Sequence, residues 1–256
     1  MAGHSPVLRA LRSASGRPFR SLHAPPQPLR APPLREPGIS GYTARFIDVD
    51  VLGDPYRLRV LSDRQQYADP DGDAERLGIS CAQWPLFGML WPAGQALAEA
   101  VGGIDVTGKR VLELGCGIGL ASLVLQRRGA EVLATDVHPL AETFLAYNAA
   151  LNGLDAVHYR RLDWAHARPD LGRFDVIIAG DVLYERGQAE TVAKVIAHYA
   201  ADEAAVVVTD PGRGYAAKLG KALQAHGFVV SPPPAHDTAT PGPIVTLRFE
   251  RLRCAA

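Results

Sequence analysis

Val111-Leu-Glu-Leu-Gly115-Cys-Gly117-Ile-Gly119 is the stretch on which the fold turns. A short apolar run ends in three glycines at alternate positions, and an amphipathic segment, Leu120 to Arg128, follows at once. That succession predicts a strand, a tight turn and the start of a helix. Glycine admits positive φ and lets a ligand come into contact with the main chain. The free N–H groups of the helix that follows face the same spot. The stretch therefore predicts a site for a nucleotide-type ligand.

Outward from it, strand and helix patterns alternate. The strands expected are Arg110–Leu114, Glu131–Thr135, Val157–Leu162, Phe174–Ala179, Ala204–Thr209, Phe228–Val230 and Ile244–Arg251. The helices expected are Ala93–Val101, Leu120–Arg128, Pro139–Leu151, Arg186–Ala200 and Tyr215–His226. Val176-Ile177-Ile178-Ala179 and Val206-Val207-Val208 lack polar alternation, as befits strands covered on both faces. The pattern predicts an α/β fold: a doubly wound, Rossmann-like, seven-stranded sheet, mostly parallel. Only the Ser231–Gly242 connection, with three prolines, separates the last two strands, so the final strand is expected to run antiparallel.

Ahead of this core, Ala44–Val51 and Tyr56–Leu61 alternate around Gly53-Asp54-Pro55 and predict an N-terminal β-hairpin. Residues 1–41 are rich in Pro, Arg, Ala and Ser and predict a disordered tail. Residues 42–256 are expected to form one domain, with the hairpin and its loop over 42–80 and the core over 81–256. The alternating acids at Asp69, Asp71 and Asp73 invite a calcium-loop interpretation. Ala74 stands where such a loop needs glycine and Ser80 where it needs glutamate, so a solvated turn is expected. Trp84 and Trp91 flank a run of apolar residues and chain breakers, and each is either a core lid or the wall of a pocket.

Composition narrows the function. Of 256 residues, 47% are hydrophobic, enough for a sizeable core, yet no run approaches the ~20 apolar residues of a membrane span. Three scattered cysteines suggest no disulfide framework, and no Cys/His cluster has zinc spacing, so no metal is expected. Residues 1–35 hold six arginines and no acid; the other 221 residues hold 21 Lys and Arg against 27 Asp and Glu, a net of −6. An acidic folded part argues against a nucleic-acid surface. A cytoplasmic location is expected, with the mitochondrial matrix as the alternative if the arginine-rich start is a transit peptide.

In sheets of this kind ligands sit at the carboxyl ends of the strands. Those ends carry the Gly115-Gly117-Gly119 loop, then Asp136 (21 residues after Gly115), Asp163-Trp164, Asp181 to Tyr184, and Asp210 to Arg213. An acid at position 136 suits ribose hydroxyls. A dinucleotide site needs glycine at position 120, which is leucine here. Glu113, just before the loop, would repel a pyrophosphate and attract an ammonium. The pattern points to a nucleoside that lacks phosphates and carries a cation, and S-adenosylmethionine has those parts.

Glu113-Leu-Gly115-Cys-Gly117-Ile-Gly119 resembles the first motif of the seven-strand S-adenosylmethionine-dependent methyltransferases. The resemblance runs over roughly Trp84 to Arg251. Trp91-Pro92-Ala93-Gly94, Asp181-Val-Leu-Tyr184, and Asp136 with Asn148 and Asn152-Gly153 are similar to segments of the methyltransferase-16-like protein-lysine methyltransferases. Asp210-Pro-Gly-Arg213 resembles bacterial relatives that modify a lysine of the electron-transfer flavoprotein β subunit. Glu-x-Gly-Cys-Gly resembles the chaperone- and translation-factor-directed branches.

The resemblance implies that Gly115, Gly117 and Gly119 pass close to the methionine moiety, Glu113 lies near its ammonium and Asp136 takes the ribose. Asp163 and Trp164 border the adenine, and Trp91 walls the cofactor. Asp181 and Tyr184 are the expected catalytic residues, facing a lysine amine of a protein substrate. A nicotinamide-like small-molecule acceptor and a non-catalytic cofactor-binding module are the alternatives. No nucleic-acid or membrane partner is expected; the sequence leaves the oligomeric state open, with a monomer as the default.

Overall fold

A computed structural model describes residues 41–166, 169–232 and 243–252. The predicted tail, residues 1–41, lies outside them except for Gly41. The chain begins with β1 (Ala44–Val51) and β2 (Asp54–Leu61), followed by a single helical turn, α1 (Asp73–Arg76), and a 3-10 turn at Trp84–Gly88. The core then runs α2 (Pro92–Gly102), β3 (Arg110–Leu114), α3 (Leu120–Arg127), β4 (Glu131–Asp136), α4 (Ala141–Leu151), β5 (His158–Arg161), β6 (Phe174–Gly180), α5 (Gln188–Tyr199), β7 (Ala200–Asp210), α6 (Ala216–Ala225), β8 (Val229–Val230) and β9 (Val245–Arg251).

Seven strands form one sheet in the order β5-β4-β3-β6-β7-β9-β8. The first five are parallel; β9 inserts antiparallel between β7 and the short edge strand β8. Strands buried on both faces explain the unbroken apolar runs. Val111, Val176, Ile178 and Val207 pack toward the side of α2, α3 and α4. Their neighbours Leu112, Ile177, Val206 and Val208 pack toward α5 and α6. The reversal of strand order lies between β3 and β6, which places the ligand crevice at the ends of those two strands.

Two local expectations change. The hairpin turn is Leu52-Gly53, with φ of 55° and 90°, and β2 already begins at Asp54. A two-residue turn with both φ positive matches the twist of the flanking strands better than the longer loop expected around Gly53-Asp54-Pro55. The acidic loop contains the turn α1, because the Asp69 carboxylate accepts the N–H groups of Ala74 (3.0 Å) and Glu75 (2.9 Å). Asp69 thus works as a helix cap.

The hairpin forms its own two-stranded sheet and packs through β2, where Tyr56, Leu58, Val60 and Leu61 are buried. Two asparagines one turn apart, Asn148 on α4 and Asn152 at its C-cap, fasten it. Asn152 accepts from Arg57 N at 2.9 Å and donates to Arg57 O at 2.8 Å. Asn148 accepts from Arg59 N at 2.7 Å and donates to Arg59 O and to Ile118 O, at 3.3 and 3.0 Å. These amides satisfy the free edge of β2 as another strand would. They also tie the hairpin to the glycine loop, although no hairpin residue lines the pocket described next.

Candidate active site

β3 delivers the chain into the glycine loop at the point where β4 ends. Gly115, Gly117 and Gly119 have φ of 67°, 53° and 86°. Cys116 N donates to Thr135 O at 2.9 Å, and Gly117 N donates to Asp136 Oδ2 at 2.8 Å, so the loop is sewn to the neighbouring strand. A Cβ on Gly117 would stand 2.7 Å from the Phe87 carbonyl oxygen, and one on Gly119 would overlap Leu145. Glycine is required here both by positive φ and by close packing.

The loop opens into a cavity of about 510 Å³, of the size that takes a small-molecule ligand. All ten site residues expected from the sequence except Gly119 line it; Gly119 sits behind the loop as the N-cap of α3. Trp91 borders the cavity with its Nε1–H anchored on Leu86 O at 2.8 Å. Trp84, by contrast, is 1% exposed and belongs to the core among Tyr42, Tyr67, Phe87 and His138. The two tryptophans therefore divide the two roles open to them.

Four carboxylates reach the lining: Glu113, Asp136, Asp163 and Asp181. Glu113 is buried and accepts the Ser122 hydroxyl. Burial pushes its pKa up to about 7, and the nearby Asp136 adds to the shift. Asp136 is also raised by burial, against the pull of backbone N–H groups from His138 and Gly117. Asp163 accepts Ala165 N at 2.9 Å and faces His166 Nδ1 at 2.9 Å, so it shapes its own turn while Trp164 supplies the wall. The Trp164 ring lies against Gly115. Arg213 is the sole Lys or Arg among the described lining residues, and it is bonded to Asp181.

His138 is buried, stacked on Phe87 with ring centroids 3.7 Å apart, and accepts Leu140 N through Nδ1. Burial lowers its pKa to about 3 and keeps it neutral. Its hydrogen bond stays within its own loop, and its ring packs on Phe87 and Trp84. Tyr184 stands 42% exposed at the open end of the cavity. Its backbone N–H and that of Glu185 both donate to Gln188 Oε1, at 2.9 and 2.8 Å.

Several functional contacts escape sequence reasoning. Ser122 had a signal: it is a polar residue on the apolar face of α3, nine positions after Glu113. Gln83 and Glu185 are joined at 2.5 Å, and at 102 positions apart nothing local could announce it. The Asp181–Arg213 pair joins two strand ends 32 residues apart.

The donor set fits a sulfonium nucleoside. There is a glycine cradle, a group of carboxylates with raised pKa values that a cation relieves, aromatic walls, and no free guanidinium or ammonium for a phosphate among the described lining residues.

Residues 80–218 match the model of a family described as lysine methyltransferase. The chain belongs to the lysine methyltransferase family. Among individual relatives, the rat electron transfer flavoprotein beta subunit lysine methyltransferase is 34% identical over 135 residues, covering 50% of this chain and 51% of that protein. Its Xenopus laevis counterpart is 30% identical over 170 residues, 64% and 65% of the two chains. The zebrafish protein N-lysine methyltransferase METTL21A is 30% identical over 144 residues, 54% and 63%. The chain thus spans between about half and two thirds of the length of these relatives.

Among solved structures, the Thermus thermophilus 16S rRNA N2 G1207 methyltransferase RsmC, in complex with AdoMet and guanosine, has a TM-score of 0.52. It is 20% identical, with 82% of this chain and 51% of that one covered. The ribosomal protein L11 methylase of Lactobacillus delbrueckii has a TM-score of 0.51 at 22% identity, with 63% and 79% covered. At such identities these likenesses speak for the fold, a Rossmann-like α/β methyltransferase fold, as the sequence leads one to expect.

Proposed function

We propose that this chain transfers a methyl group from S-adenosylmethionine to the amine of a lysine side chain in a protein. The observation that carries the proposal is the asymmetry of the pocket. Its inner end is a glycine cradle with buried acids, and its outer end holds Asp181 and the half-exposed Tyr184. The names of the rat and zebrafish relatives support a protein lysine as acceptor, and the rat name supports the electron-transfer flavoprotein β subunit as the first substrate to test.

When bound, S-adenosylmethionine supplies an electrophilic methyl on a good leaving group. The chain's residues have little acid–base work at that centre and act by alignment and exclusion of water. Glu113 and Asp136 provide negative charge at the inner end. Trp91, Trp164 and Leu162 provide apolar walls. Asp181 carries an acceptor oxygen to the outer end, where an amine must arrive. Burial raises the pKa of Tyr184, which keeps its hydroxyl protonated and able to donate, while its ring borders the approach of an alkyl side chain.

The proposal includes a cytoplasmic monomer that binds neither nucleic acid nor membrane. Among the described residues no helix is long and apolar enough to cross a membrane. The test is to incubate the protein with methyl-labelled cofactor and the purified flavoprotein β subunit, then with a lysate of its source, and map the label by mass spectrometry. Label on lysine of a protein is expected. Label confined to small molecules would replace this function with the nicotinamide-like alternative, and no transfer with intact cofactor binding would leave a non-catalytic module.

A further inference from the structure

Asp181 follows directly on β6, and its side chain is only 9% exposed. Its φ is 57°, a left-handed conformation that few non-glycine residues adopt. Its N–H donates to Thr209 O at 2.9 Å, so the strained residue is held by the end of β7. The next turn on β7 brings Arg213. Asp210 accepts Gly212 N at 2.7 Å and Arg213 N at 3.2 Å through one carboxylate oxygen and so fixes the direction of that turn. The Arg213 guanidinium then reaches both oxygens of Asp181, with Nη1 on Oδ1 and Nη2 on Oδ2 at 3.3 Å. The fork adds orientation to the positive charge, which is the part a lysine would also supply.

The acceptor amine poses a charge problem. A lysine side chain in water has a pKa of about 10.4, so roughly one in a thousand is neutral at pH 7.4. Only the neutral amine has the lone pair that forms the N–C bond as the C–S bond breaks and sulfur takes back its electron pair. An unpaired carboxylate within about 4–6 Å would raise that pKa by roughly 1–3 units and hold the amine in its unreactive form.

We infer that Arg213 is a positioning residue for methyl transfer: its fork neutralises Asp181, so that the carboxylate orients the incoming lysine nitrogen without holding a proton on it. This rests on the proposed lysine methylation.

The surroundings make the role specific to Arg213. Tyr184 faces Asp181 from the β6 end, with Glu185 beside the tyrosine, and Asp210 faces Arg213 from the β7 end. Glu113 and Asp136 lie across the cavity on β3 and β4, with neutral His138 beside them and Asp163 and Cys116 completing the ionisable groups of the lining. The described lining residues of α2, α5 and the Leu77–Trp91 segment are all without charge. Apart from Arg213, then, every charged group among the described lining residues is an acid; Arg64 lies behind the wall, over the Trp91 ring. Asp181 in turn holds the arginine in its charged form.

The test compares wild type, Arg213→Met and Arg213→Lys with the flavoprotein β subunit and saturating S-adenosylmethionine, from pH 7 to 10. In Arg213→Met the rising limb of kcat is expected to move up by about one pH unit. At pH 7.5 kcat falls about tenfold while KM stays level or drops. Arg213→Lys restores most of the wild-type profile. Thermal unfolding and calorimetry with the cofactor are expected to match wild type in both variants.

An unmoved pH profile in Arg213→Met, an equal shift in Arg213→Lys, or a tenfold loss of cofactor affinity would each overturn the inference. Absence of lysine label with wild type itself would instead overturn the function on which it rests.

Discussion

The two ends of the pocket are built from different material. At the inner end, under β3 and β4, the working parts are main chain and buried acids: three glycines at positive φ, Gly117 N on Asp136, and Ser122 on Glu113. At the outer end, past β6 and β7, they are side chains: the mostly buried Asp181 and the more exposed Tyr184 and Arg213 at the edge of solvent. The inner end resembles a core in its intolerance, since each atom is fixed by packing. The outer end is an electrostatic arrangement whose parts can change without loss of the fold. Recognition of a constant ligand suits the first, and recognition of a particular acceptor suits the second.

Substitutions should break this comparison in a graded way. Gly117→Val is expected to have the largest effect, because its Cβ meets the Phe87 carbonyl and its backbone is left-handed. A destabilisation of about 2–4 kcal/mol is expected, with no measurable cofactor binding. Thermal unfolding and calorimetry check it, and a variant with normal affinity would show that the cradle is softer than its geometry.

Asp181→Asn tests the outer end with a residue that tolerates the same backbone conformation. Transfer should fall by about 100-fold or more while cofactor affinity changes less than about threefold. Retained turnover would remove Asp181 from the acceptor site.

Asn148→Ala addresses the tie between hairpin and glycine loop. It strips a buried amide from Arg59 N, Arg59 O and Ile118 O. A loss of about 2–4 kcal/mol is expected, seen as a Tm lower by about 10 °C, with a smaller loss in cofactor affinity.

The inner end should also respond to pH. Glu113 has a folded-state pKa near 7, raised from 4.5 by burial. Its contribution to the stability of the free protein is therefore greatest below pH 4.5 and is lost as pH rises toward 7. A cationic cofactor favours the ionised form, so affinity should rise about tenfold between pH 6 and 8, with proton release on binding. Glu113→Gln should flatten that dependence. Gln83→Ala, which removes the bond to Glu185, should do least: a cofactor off-rate raised by no more than about fivefold, by stopped-flow fluorescence of Trp91 and Trp164.

The inner end was also the more legible in sequence. Gly115, Gly117, Gly119, Glu113 and Asp136 occupy one strand–turn–helix–strand unit, where spacing implies proximity because consecutive parallel strands are neighbours. Trp91 and Tyr184 could be assigned to the cavity only by resemblance, since an aromatic in a loop serves a core equally well, as Trp84 does. Asp163 fell between: it lines the pocket, yet its carboxylate is engaged by Ala165 and His166. The cap at Asp69 and the asparagines of α4 and its C-cap were visible as residues, but their partners were not, because those partners are backbone groups with no sequence signature.

By itself the sequence determined the order of elements, the antiparallel last strand and the kind of ligand the glycine loop accepts. These follow from periodicity, glycine's freedom at positive φ and the sign of a charge beside the loop. Only the tertiary structure decided how the charges combine. Hydrophobic burial set the sheet order, the sheet order brought the ends of β6 and β7 side by side, and that adjacency joined Asp181 to Arg213. Distance along the chain carries no information about such a pair, whereas Coulomb energy depends on separation in space.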